Sequence, residues 1–80
     1  MADTDDGIDR ATIERNLAQV ERDLRAASED IAYQQETLRN LVRYGEDTTE
    51  AVRSIGILEH THLVLGSLRD QLDEELAALD

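Results

Sequence analysis

Apolar residues recur along this chain at alternating spacings of four and three, once from about residue 8 to 44 and again from about 47 to 79. The first series is Ile13, Leu17, Val20, Leu24, Ala27, Ile31, Leu38 and Leu41, with Gln34 as its one polar member. This spacing keeps a single stripe of a helix apolar and predicts a coiled-coil seam. The second series is Ala51, Ile55, Leu58, His62, Leu65, Arg69, Leu72, Leu76 and Leu79. Between the seam positions of the first series lie Arg15, Glu21, Arg22, Arg25, Glu29, Asp30, Glu36 and Arg39, which read as a solvated face.

The one strong break between the two series is Tyr44-Gly45-Glu46-Asp47-Thr48-Thr49-Glu50. Gly45 can take the left-handed conformation that ends a helix. Asp47 can accept hydrogen bonds from the free N–H groups of the next helix, and Glu50, three residues on, completes a capping-box spacing. The expected fold is all-α: a two-helix antiparallel hairpin, coiled-coil-like, with helix 8–44, turn 45–47 and helix 48–79. Residues 1–7 are polar and acidic and are expected to form a disordered tail. Asp6 or Asp9 is the expected cap of the first helix, and Asp5, Asp6 and Asp9 suit its positive dipole end.

The middle of the second helix, IGILEHTHLVLGSL, also carries Gly56, Ile57, Leu63 and Val64 away from the seam. One partner helix cannot cover both sides, so these four residues are the expected self-association surface. A homodimer of hairpins forming a four-helix bundle is the natural closed solution.

Composition points the same way. Eighty residues make one small domain whose core supplies only a few kcal/mol, and the chain has no cysteine to form disulfides. Proline is absent, which suits long helices. The net charge of −11, from 8 basic and 19 acidic residues, argues against nucleic acid and anionic membranes as partners. No apolar run reaches the roughly 20 residues of a membrane span, and the acidic start MADTDDGIDR does not read as a signal peptide. The expectation is a soluble cytoplasmic protein. The charge is uneven: residues 46–80 hold nine acids against Arg53 and Arg69. That acidic surface suits docking to a basic protein partner.

Candidate chemistry is sparse. His60 and His62 lie about 200° apart on a helix and cannot chelate one ion together. Glu59 and His62 have the Glu-x-x-His spacing of metal-binding bundles, but such sites need a further inward Glu from a facing helix. The expected position of that ligand is Glu29 to Ile31, where Glu29 points outward and Ile31 inward. Glu59 and His62 are therefore candidates for a metal site that lacks its third ligand, and neither a metal nor another cofactor is expected. Gln34 and His62 are expected instead to form a buried polar pair, within or between chains. Arg69 is expected to lay its stem along Leu65 and Leu72 with its head near a carboxylate. No nucleophile–base–orienter set can be assembled, so the chain is not expected to be an enzyme.

Glu29-Asp30-Ile31-Ala32-Tyr33-Gln34, Leu38, Leu41, Gly45-Glu46-Asp47-Thr48, Ala51, Leu58-Glu59 and Arg69-Asp70 together resemble a group of short bacterial proteins. This uncharacterised helical-hairpin group is common in GC-rich α-proteobacteria, and its Gly-x-Asp-Thr turn is the most specific part of the likeness. The resemblance covers about residues 14 to 76 and implies no activity. One departure is the acidic start and the absence of lysine, which equally suit a salt-adapted organism. The expected role is a structural or interaction protein, a self-associating hairpin acting as a small regulator. The alternative is a metal-binding four-helix bundle.

Overall fold

A computed structural model describes residues 9–79; the expected tail and the Asp6 cap lie outside them. The described chain is two helices, α1 Arg10–Arg43 and α2 Thr49–Ala78, packed against each other as a hairpin. Both start and stop within one or two residues of the expected bounds, where helix ends ordinarily vary.

Asp9 caps α1, its side chain accepting from the Thr12 N–H at 2.9 Å. The stop at the other end is a Schellman motif. The Glu46 N–H donates to the Leu41 carbonyl at 2.8 Å and the Gly45 N–H to the Val42 carbonyl at 3.1 Å. That arrangement requires a left-handed residue between them, and Gly45 has φ +70°. The expected role of Gly45 is thus seen directly.

The start of α2 departs from expectation by one residue. Thr48 is the boundary residue, and Asp47 accepts from both the Thr49 N–H at 3.0 Å and the Thr49 hydroxyl at 2.7 Å. With Thr48 at the boundary, Glu50 is the second helical residue, so the capping-box spacing from Asp47 does not apply. Glu50 instead stands in the first turn, beside the positive end of the helix dipole.

The core is a thin aliphatic strip. Ile13, Val20, Leu24 and Leu72 are buried together at the open end, with Leu17, Leu65 and Leu76 packed against them. Towards the turn, Ala51 is buried while Ile31, Leu38, Leu41, Ile55 and Leu58 are only half-buried. A single partner helix covers each seam from one side only, so positions near the turn keep access to water from both flanks.

Candidate functional site

The interior of the hairpin changes character at its middle. Ser28 of α1 faces His62 and Gly66 of α2, where the open end has larger aliphatic residues. Here His62 Nε2 and Ser28 Oγ share a hydrogen bond of 3.1 Å. The pair opens onto a surface groove lined also by Glu21, Leu24, Arg25 and Arg69. The groove thus gathers two guanidinium groups, an imidazole, a hydroxyl and the Glu21 carboxylate. Arg69 is half-exposed with its guanidinium 3.4 Å from the Asp70 carboxylate, in line with the snorkelling expected of it.

The expected Gln34–His62 pair does not form within the hairpin, and neither residue is buried. Gln34 lies in a second groove with Asp30, Tyr33, Ser54, Ile57 and Leu58. It stands six residues beyond Ser28, about 9 Å further along α1. The physical reason is the length of the turn: the tight Schellman stop brings residues summing to about 90 face to face, and Gln34 with His62 overshoots that register. Among the described residues no polar side chain is fully buried, because a two-helix layer leaves every polar group a route to water.

Ser28 was not singled out by its spacing, since it sits beside the seam rather than in it. A closer count through the turn is the signal that finds it. The Ser28–His62 pair has the hydroxyl–imidazole contact of a nucleophile and base, yet the described residues give His62 no second hydrogen-bonded partner to orient it. Glu59 is exposed, and no group of three or more His, Cys, Asp or Glu able to hold a metal ion occurs among the described residues.

The four expected self-association residues are exposed but do not form one patch. Measured from the seam at 100° per residue, Ile57 and Val64 project roughly 120° to one side, and Gly56 and Leu63 roughly 140° to the other. The grooves agree: Ile57 shares one with Tyr33 and Ser54, whereas Leu63 lines another with His62, Gly66 and Asp70. The exposures of Ile57, Leu63 and Val64 are 61%, 70% and 52%. A Cβ placed on Gly56 or Gly66 would meet nothing within 4 Å, so packing inside the hairpin does not call for glycine at either place.

Three exposed carboxyls are held below their ordinary values. The Thr49 N–H and hydroxyl hold the Asp47 carboxyl below its ordinary value, and the Thr12 N–H does the same for Asp9. Arg39, 2.7 Å from Glu36, lowers that carboxyl likewise. Among the described residues no helix is long and apolar enough to cross a membrane. Comparison with protein families, curated proteins and solved structures matches the chain to none of them.

Proposed function

We propose that this chain is a structural or interaction protein: a helical hairpin that self-associates as a homodimer, forming a four-helix bundle, and presents its charged faces to a protein partner as a small regulator. The observation that carries the reading is the exposure of Ile57, Leu63 and Val64 in mid-helix, on an α2 whose seam is already occupied by α1. Large apolar side chains left in water on the flanks of a helix whose seam is already filled leave surface for a further chain to cover. The thin core adds weight, because a domain of this size without disulfides needs a further source of stability and a second copy provides one.

The acidic second helix supplies the surface for the partner. Nine acids against two arginines over residues 46–80 make a field that attracts a basic protein surface and repels nucleic acid.

Light scattering on protein eluting from a sizing column tests the first half. A mass near twice 9.0 kDa supports the reading, and a monomer at every concentration removes it. Capture of a basic protein from the native organism, in a complex that weakens steeply with salt, tests the second half.

A further inference from the structure

The geometry points to a two-fold dimer in which two α2 helices pair antiparallel along the flank bearing Ile57, Val64 and Leu68, the occupant being a second copy of this chain. The inference rests on the self-association reading above and names the face and the direction that carry it.

The face is identified by a second heptad row. Ser54, Ile57, Thr61, Val64, Leu68 and Gln71 follow one another at spacings of three and four, and all six are uncharged in a chain that is 34% charged. Glu50 and Glu75 occupy the next positions of the same row at either end. Ile57, Val64 and Leu68 are 61%, 52% and 41% exposed, so the row is built like a coiled-coil seam and has no helix on it. Tyr33 of α1, itself exposed, stands over the same groove as Ser54 and Ile57 and widens the apolar surface. The opposite flank differs: Val52, Gly56 and Leu63 share their row with Glu59 and Asp70, and docking there would strip carboxylates of water.

A second copy fits this row because the row is nearly the same read from either end. Outward from its centre come Thr61 and Val64, then Ile57 and Leu68, then Ser54 and Gln71, then Glu50 and Glu75. An antiparallel two-fold pairing sets each member against its counterpart, as a self-complementary interface requires. Ile57 then meets the partner's Leu68, and the methyl of Thr61 meets the partner's Val64. Glu50 then faces the partner's Glu75 at each end of the row, where water and salt screen the repulsion, and the other charges favour the same direction. Antiparallel pairing brings Arg53 towards the partner's Asp73 and Glu74 and lays the acidic end of α2 beside the positive end of the partner helix. Parallel pairing would stack the two acidic ends on each other.

The test uses the full chain, sized by light scattering with helicity followed by circular dichroism. Wild type is expected to be a dimer, Ile57→Glu and Val64→Glu monomers of unchanged helicity, and Leu63→Glu still a dimer. If Leu63→Glu splits the dimer and Val64→Glu does not, the face proposed here is wrong while self-association stands. If wild type is monomeric throughout, both fall. Should the Glu variants lose helicity, Val64→Asn reads the same face without adding charge.

Direction is read by cross-linking in this cysteine-free chain. Ser54→Cys mixed with Gln71→Cys is expected to give a disulfide between the two variants. Gln71→Cys alone is expected to give none, its copies lying about 25 Å apart along the paired helices. A disulfide from Gln71→Cys alone would make the helices parallel and overturn the direction.

Discussion

Ser28 and His62, 34 residues apart in the chain, share a hydrogen bond of 3.1 Å across the hairpin. This contact reports the register between α1 and α2. It places Gln34 against Ser54 and Leu58 instead of against His62, and among the described residues no metal-holding group assembles around Glu59.

A double-mutant cycle reads that register in solution. Ser28→Ala and His62→Ala should show a coupling of about 0.5–1.5 kcal/mol in urea unfolding, the net worth of one hydrogen bond. The cycle for Gln34→Ala with His62→Ala should show less than about 0.3 kcal/mol, as expected of sites without contact. The reverse ranking would place the register one to two turns from that described.

The turn is sensitive at one residue. Gly45→Ala forces a Cβ into the left-handed region at φ +70° and should cost about 1–2 kcal/mol. The urea midpoint should fall with the slope unchanged. An undiminished midpoint would mean that α1 ends differently.

The core is small enough for one residue to matter greatly. Ile13 is the most buried large side chain, at 1% exposure. Ile13→Ala should cost about 2–5 kcal/mol, a large share of what so small a domain possesses. Val42→Ala, at a position 62% exposed, should stay within about 0.5 kcal/mol. Thermal melts of the two variants under identical conditions decide between them.

Acid should weaken the start of α2. Asp47 has its folded value lowered by hydrogen bonds from Thr49, so its contribution is complete above the ordinary carboxylate range. That contribution is lost as pH falls through the lowered folded value. Melts of wild type and Asp47→Ala should therefore differ at neutral pH and converge in strong acid. A gap that is unchanged in strong acid would exclude the carboxylate as the cap.

Most of the helical layout was legible in the order of residues. The four-three spacing of Leu17, Val20, Leu24 and Ala27, and the requirement of Gly45 for a left-handed turn, are local properties that need no partner to be read. Asp47 was legible as a hydrogen-bond acceptor at the helix start, although the boundary fell on Thr48. The relation of one helix to the other was less so. An error of a few residues in counting through the turn moves Gln34 from His62 to Ser54, and Ser28 has no periodic signal of its own.

The same division holds for the outer faces of α2. The amino-acid order alone determined that two helices form, that they reverse at Gly45, and that α2 carries apolar residues its seam does not use. Those features follow from periodicity and backbone sterics within each segment. Periodicity within α2 likewise puts Ile57 and Leu63 on different flanks of its seam. Only the tertiary structure decided that Ser28 answers His62 and that no polar side chain is enclosed among the described residues. Each of these depends on how far α1 slides and rotates against α2, which the packing of Ile13, Leu24 and Leu72 and the length of the turn set together.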